Sequence, residues 1–265
     1  MNSLADTRCR ACSGSLVPRL EAVVLGDIPA TLFGCQECQS LQFPEPHWLD
    51  RAYSKVWEQD PDTGALLRAN AVHRIIRRMR ATGLLDHRHT TLDFGSGVGL
   101  LVRLLRDEGR EAWGYEPYRA AQFAEAYCSR ELNGNGPFDL LVATEVLEHT
   151  DQPVAFLKQL KGLTRHDGIL LVSTELYDPR TRPDPTGWPY LSLEAGQHIT
   201  LLTRWGLDAA LQKAGLLRFD SLKFAGAPSI HLLTRPESIP GLWARWSLRW
   251  RHMQGEHRQR RDRCI

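Results

Sequence analysis

Four of the chain's six cysteines fall in two close pairs, Cys9-x2-Cys12 and Cys35-x2-Cys38, within the first 40 residues. Each short loop can turn two sulfurs onto one tetrahedral ion, so the spacing predicts a structural zinc on Cys9, Cys12, Cys35 and Cys38. Four thiolates leave no open coordination position, so such an ion holds structure and does no chemistry. Two disulfides or four unrelated thiols are the competing readings, and a reducing compartment disfavours both. A second group is Glu145, Glu148 and His149 in Glu-Val-Leu-Glu-His, with His198 further along in Gly-Gln-His-Ile-Thr. Positions i, i+3 and i+4 share one helical face. In a helical turn, two carboxylates and an imidazole therefore converge, as a hard divalent cation such as magnesium or manganese requires. The same histidines could equally serve as general bases with no metal.

A third group is glycine-rich: Leu92-Asp93-Phe94-Gly95-Ser96-Gly97-Val98-Gly99, where a short β-like run gives way to a helical one. Glycines there let the backbone turn tightly and approach a ligand that a Cβ would exclude. A dinucleotide fingerprint needs its third glycine at position 100, which is Leu100. Gly-x-Gly-x-Gly after Asp93 instead resembles the nucleotide loop of class I S-adenosylmethionine-dependent methyltransferases. Glu116, in Trp-Gly-Tyr-Glu-Pro about 20 residues on, stands where an acidic residue takes the ribose hydroxyls. The resemblance continues through Phe138 to Val142, Glu145 to His149, Asp151-Gln152-Pro153 and Gly168 to Thr174, and spans roughly residues 50 to 235. It implies S-adenosylmethionine as cofactor, held by Asp93, Gly95, Gly97, Gly99 and Glu116. It also implies that Glu145, Glu148, His149 and His198 face the transferred methyl as the catalytic residues. The Glu-x-x-Glu-His segment with a distant histidine further resembles the magnesium-dependent 2′-O-methyltransferases of small RNAs and, more loosely, the ubiquinone O-methyltransferases. That implies a divalent ion on the same four residues; many class I enzymes carry a similar segment without metal, and the metal-free role is the one favoured.

The elements that position these groups alternate. Leu16 to Leu25 reads as a ribbon strand ending at Gly26-Asp27, and Trp48 to Arg80 as largely helical, with its arginines on a solvated face. Strands are expected at 91–94, 112–116, 138–144 and 168–174, then at 219–224 and 229–233. Helices are expected at 100–107, 118–128, 152–163 and 203–214. Such alternation predicts an α/β fold, a Rossmann-like doubly wound sheet. Only Ser129 to Pro137 stand where the family places its third strand, so that edge is expected to be reduced, and no adenine-binding side chain is named. Three segments follow: a zinc ribbon at 1–44, the methyltransferase domain with its helical lead-in at 45–235, and a basic, tryptophan-rich extension at 236–265.

Tyr177 to Gln197 carries four prolines with Trp188 and Tyr190, too proline-rich for a helix and long for a plain connection. It is expected to shape the acceptor pocket, with Trp188 and Tyr190 either stacking on a ring or packing the loop. In the extension, Trp243, Trp246, Trp250 and Met253 fall on one helical face. A docked C-terminal helix is the simplest reading; peripheral contact of residues 242–257 with an anionic membrane or with RNA phosphates are the others.

The chain has 265 residues, 42% of them hydrophobic, with a net charge of +2. No apolar run approaches the roughly 20 residues of a membrane span, and no secretory signal is visible, so a cytoplasmic location is expected. Seven arginines lie in residues 242–265 against Glu256 and Asp262, which leaves the remainder net negative and disfavours a generally basic nucleic-acid binder. The expectation is methylation, at oxygen or carbon, of a small molecule such as a sugar or glycan precursor. The alternative is an RNA methyltransferase gripping its substrate through the ribbon, but that ribbon offers no basic face.

Overall fold

Leu16–Val24 (β1) and Ile28–Cys35 (β2) are the expected ribbon strand and its return. Leu25 and Gly26 between them take φ of 55° and 84°, the conformation that joins right-twisted strands most tightly. In the computed structural model, residues 8–54, 63–132, 136–224 and 227–239 are described. Leu41–Gln42 (β3) follows, then the short Leu49–Tyr53 (α1) and the long Thr63–Ala81 (α2). On α2 the buried residues Ala69, Val72, Ile75, Ile76 and Met79 recur every three or four positions, the stripe a core-facing helix needs. Its arginine face is less free than expected: Arg77 and Arg80 lie 3.6 and 4.0 Å from Glu108, and Arg80 is half-buried.

Thr91–Phe94 (β4), Leu100–Asp107 (α3) and Ala112–Tyr115 (β5) come next, then the two-residue Cys128–Ser129 (β6) and Phe138–Thr144 (β7). Pro153–Leu163 (α4), Thr164–Ser173 (β8), Thr200–Leu201 (β9), Arg204–Ala214 (α5), Leu217–Phe224 (β10) and Ala227–Thr234 (β11) complete the order. Pro153 opens α4, where its missing N–H costs nothing. Thr203 caps α5 by accepting from Gly206 N–H, and Gly215 ends that helix in the left-handed conformation.

Seven strands form one sheet in the order β10-β11-β8-β7-β4-β5-β6. β6, β5, β4, β7 and β8 run parallel, β11 runs antiparallel to β8, and β10, antiparallel to β11, points the same way as the first five. The order reverses at β4, so β4 and β7 splay their following loops to opposite sides and open a crevice at their carboxyl ends, where such sheets bind ligands. Leu140, Leu141, Val142, Leu170, Leu171 and Val172 are fully buried, as strands covered on both faces must be. The fold is thus the expected α/β class I methyltransferase fold.

A second sheet, β1-β2-β3-β9, is antiparallel throughout. Its last strand comes from beyond β8, so the ribbon is stitched into the larger unit and does not hang from it. Two expectations need correction. Residues 118–128 form no α-helix: Gln122 and Phe123 both give their N–H to the Val98 carbonyl, leaving one 3-10 turn at Glu125–Tyr127. Glu145, Glu148 and His149 do not share a helical face, because Glu145 has φ of 55° and only Leu147–His149 turns, as 3-10 helix. The expected third strand is β6, as short as its place in the chain allowed. The C-terminal helix and the contact surface proposed for 242–257 lie outside the described residues. Among the described residues, no helix is long and apolar enough to cross a membrane.

Candidate functional site

The loop after β4 exposes backbone. Gly95, Gly97 and Gly99 all have positive φ, 76°, 54° and 83°. A Cβ on Gly95 would sit 2.7 Å from Val146 Cγ2, so only glycine lets this loop close against the turn that follows β7. Gly97 faces open space, and its N–H donates to Glu116 Oε2 at 3.0 Å. Tyr118 N–H donates to Glu116 Oε1 at 2.9 Å. Both oxygens of Glu116 are thus aimed by the backbone, and each keeps a lone pair for a ribose hydroxyl. Asp93, at the end of β4, is 5% exposed; burial, reinforced by the Glu116 charge, pushes its carboxyl up to about 7.

Across the crevice, β7 delivers the second group. Glu148 is 1% exposed, and its Oε1 accepts the Tyr190 hydroxyl at 2.6 Å. Nε2 of His149 and Nε2 of His198 lie 3.9 and 4.0 Å from the same Oε1. The other face of each ring is occupied: His149 Nδ1 meets the Tyr53 hydroxyl at 2.9 Å, and His198 Nδ1 meets the Tyr190 carbonyl at 2.5 Å. A carbonyl only accepts, so His198 carries its proton on Nδ1 and turns an Nε2 lone pair to the cleft. Burial, with the neighbouring His198, holds His149 down to about 3, and burial lowers His198 also. Both rings are neutral at pH 7. Glu145 lies outside the trio of Glu148, His149 and His198, its Oε1 held by the Ser173 hydroxyl at 2.7 Å. Burial raises both carboxyls, Glu145 to about 8 with repulsion from Glu148 adding to it, and Glu148 to about 7.

One cleft of about 680 Å³ joins the two groups, and Asp93, Gly95, Gly97, Glu116, Glu145, His149 and His198 all line it. Glu148 lies just behind the wall that His149 and His198 form. Of the aromatic residues in the proline-rich loop, Tyr190 lines the cleft, whereas Trp188 is 5% exposed and packs between Tyr177 and Tyr190. Packing, not ring stacking on an acceptor, is therefore what Trp188 does. Tyr53 was not singled out by the sequence. It stacks on Tyr118 with ring centres 5.3 Å apart at the rim, and nothing local to 49–53 marks it.

Two clusters have the donors to hold metal. The sulfurs of Cys9, Cys12, Cys35 and Cys38 all lie within 4.8 Å of one another, with Cys9 to Cys38 at 3.5 Å and Cys12 to Cys35 at 3.4 Å. Four thiolates at the usual zinc–sulfur distance stand about 3.8 Å apart, so the donor set and its spacing fit zinc. Glu148, His149 and His198 likewise bring one donor atom each within 4.8 Å of the others, and Glu148 Oε2 is buried without a hydrogen-bond partner. Glu145 is not in that cluster.

The chain matches the methyltransferase domain family over residues 66–217, more than half its length. It is 24% identical over 137 residues to the ubiquinone biosynthesis O-methyltransferase of Yersinia enterocolitica, a match covering 46% of this chain and 56% of that protein. The chain thus spans little more than half the length of this curated relative. Among solved structures it resembles the 1,6-didemethyltoxoflavin-N1-methyltransferase of Burkholderia thailandensis, solved with 1,6-didemethyltoxoflavin and S-adenosylhomocysteine. That match has 16% identity and a TM-score of 0.51, covering 76% of this chain and 96% of the other. The magnesium protoporphyrin IX methyltransferase of Synechocystis PCC 6803, bound to S-adenosylhomocysteine, aligns at 15% identity over 72% of this chain and 96% of its own, with a TM-score of 0.48. With the strand order, the glycine loop and the family match over residues 66–217 in agreement, the chain belongs to the methyltransferase domain family of S-adenosylmethionine-dependent enzymes.

Proposed function

We propose that the protein methylates a hydroxyl oxygen of a small-molecule acceptor, with a sugar or glycan precursor as the first class to test. The observation that carries this reading is the shared cleft, which joins the cofactor loop to two neutral imidazoles backed by the buried Glu148 carboxylate. S-adenosylmethionine, when bound, supplies an electrophilic methyl group. Glu116 holds the ribose, and the Gly95–Gly99 backbone admits the cofactor closely. An acceptor hydroxyl lodged against Nε2 of His149 and His198 loses its proton to His198, and the negative side of Glu148 steadies the resulting imidazolium. Methylation of a hydroxyl is where such a base helps most, because the oxygen becomes nucleophilic as its proton leaves. The curated relative named for O-methylation supports that choice of atom.

The RNA alternative draws no support from the ribbon. Arg10 is spent on backbone carbonyls of this chain, and Arg19 donates to the Pro183 carbonyl at 2.9 Å. We further propose zinc on the four cysteines, and residues 1–44 as a zinc-bearing limb of the catalytic unit at 45–235. A second reading of the chemistry, a divalent ion on Glu148, His149 and His198, is favoured by the buried, partnerless Glu148 Oε2. There the ion would act as Lewis acid on the acceptor oxygen.

The test is a screen with methyl-labelled cofactor against extracted glycan precursors, beside a melt with nucleotide sugars and a salt-dependent gel shift with bulk RNA. Label transfer to a sugar hydroxyl, with no RNA shift, is the expected result. Transfer only to RNA would overturn the proposal.

A further inference from the structure

Arg10 sits between two of the cysteines, in Cys9-Arg10-Ala11-Cys12, yet its side chain leaves the ribbon altogether. Nη1 donates to the Ile199 carbonyl and to Thr200 Oγ1, both at 2.9 Å. Nη2 donates to the Phe43 and Pro44 carbonyls at 2.7 and 3.1 Å. One guanidinium therefore ties the first cysteine loop, the end of β3 and the start of β9 together, a fork no other side chain reproduces. Its backbone N–H is fixed as well, on Gln42 Oε1 at 2.9 Å.

What Arg10 grips is the backbone of the catalytic cluster. Ile199 follows His198 directly, and its N–H donates to the Glu148 carbonyl at 2.9 Å. Thr200 Oγ1 passes its own proton to the Thr150 carbonyl at 2.7 Å. His149 lies between those two anchored carbonyls, and His198 lies next to the residue that holds the first. The spacing of the two Nε2 atoms about Glu148 Oε1, 3.9 and 4.0 Å, is thus set by a strand that Arg10 clamps from 189 residues away in sequence. Burial of a guanidinium is costly unless its donors are satisfied, as four of them are here. A surface contact between ribbon and domain needs no such buried charge.

We propose that Arg10 is a positioning residue: its guanidinium clamps Ile199 and Thr200 and thereby sets the geometry of His149 and His198 for methyl transfer. The proposal rests on the methyltransferase reading of the cleft. It gives the ribbon a part in the acceptor half of the site and none in the cofactor half, since the Gly95–Gly99 loop and Glu116 lie across the crevice.

The experiment compares the full-length protein with Arg10→Met, which keeps the length and loses every donor, and with Arg10→Lys, which keeps the charge but not the fork. Histidine ring resonances, read at one pH in protein with isotopically labelled histidine, need no acceptor. Those of His149 and His198, assigned by single His→Ala variants, are expected to move in Arg10→Met while surface rings such as His87 and His166 stay. Arg10→Lys should restore part of the shift. Calorimetry should find S-adenosylmethionine affinity within about twofold of the original, and metal analysis an unchanged zinc content. With an acceptor in hand, kcat should fall tenfold or more in Arg10→Met while the cofactor KM holds. If Arg10→Met fails to fold or loses zinc, Thr200→Val decides: it leaves Arg10 its bonds to the Ile199, Phe43 and Pro44 carbonyls, removes both the Arg10 and the Thr150 bonds of Thr200 Oγ1, and should still move the His149 signal. Unmoved His149 and His198 signals in a folded Arg10→Met, or a silent His149 in Thr200→Val, would overturn the proposal. Failure of the original protein to bind S-adenosylmethionine would instead refute the methyltransferase reading and leave the ring signals to judge Arg10.

Discussion

Tyr190 gives its hydroxyl proton to Glu148 Oε1 across 2.6 Å, joining the proline-rich loop to the turn after β7 at a fully buried carboxylate. The same hydroxyl lies 3.3 Å from Thr174 Oγ1, and the Tyr190 carbonyl takes His198 Nδ1. One residue thus orients both the carboxylate and an imidazole. A hydrogen bond to a buried charge is worth about 1.5–3 kcal/mol. Tyr190→Phe should therefore lower kcat roughly ten- to hundredfold with cofactor affinity unchanged, measured by methyl-transfer kinetics beside calorimetry. An unchanged kcat would remove Glu148 from the chemistry.

Glu116 is the second expectation open to direct measurement. Its carboxylate is aimed by Gly97 N–H and Tyr118 N–H and has capacity left for two hydroxyls. Glu116→Ala should weaken S-adenosylmethionine binding by about 1.5–3 kcal/mol, the worth of hydrogen bonds to a charged acceptor. Equal affinity in calorimetry would take the ribose contact away from this residue.

Much of this was legible in sequence because it is local. Leu100–Asp107 is a helix to the residue, and Phe138–Thr144 is a strand to the residue, since each announces itself by its own apolar spacing. The Asp93, glycine-loop and Glu116 set was legible as a spacing along one βαβ unit. What was not legible depends on partners far away in the chain. Residues 118–128 have a helical pattern, but the Gln122 and Phe123 N–H groups go to the Val98 carbonyl, a tertiary choice that no local propensity records. Tyr53 meets His149 across 96 residues and Arg10 meets Ile199 across 189. Neither has a sequence signal beyond its own residue type. The Glu145 to His149 segment is the middle case: its residue types are readable in sequence, but their geometry is not, because one left-handed residue, Glu145, turns the backbone out of helix.

The four cysteines should hold one zinc per chain. Gly14 N–H points at Cys12 Sγ at 3.3 Å and Cys38 N–H at Cys35 Sγ at 3.4 Å, the backbone donors that support thiolate charge in such loops. Metal analysis of protein purified without chelator should find one equivalent. Cys35→Ser should lose most of it, since binding and folding of such a site are one equilibrium. A zinc-free preparation with intact folding would refute the site.

Asp93 makes a stability prediction whose sign follows from its environment. Its carboxyl is raised to about 7 in the folded protein, against a value near 3.9 when unfolded. Between these values the native state keeps a proton that the unfolded chain has released. Its contribution to stability is therefore full below about pH 4 and is lost as pH rises toward 7. Asp93→Asn cannot ionise. Thermal melts of the cofactor-free proteins should show the variant gaining on the original across that window and holding a constant difference above it. A difference that is flat from pH 4 to pH 8 would mean that Asp93 titrates normally.

The choice between base and metal in the acceptor half can be made by chelation, because the two branches use the same residues in different states. In the base branch, His198 Nε2 takes the acceptor proton, so activity survives EDTA and falls on His198→Ala. Burial depresses both imidazoles, so the ascending limb of the rate profile should lie below the ordinary histidine value of about 6.5. The rate falls as pH drops through it, because a protonated ring cannot accept, and the limb should vanish in His198→Ala. In the metal branch, Glu148, His149 and His198 hold a divalent ion, so chelation abolishes turnover while the four-cysteine zinc stays bound. Added magnesium or manganese should then restore it, because mixed oxygen and nitrogen ligation suits those ions where four sulfurs do not. The base branch is favoured because each imidazole is already oriented and neutral, and because Glu145, the carboxylate that would have completed an oxygen-rich set, is held by Ser173 instead. Full activity in a His149→Ala, His198→Ala double variant would defeat both branches and move the search for the acceptor's contacts to Tyr190 and the proline-rich loop.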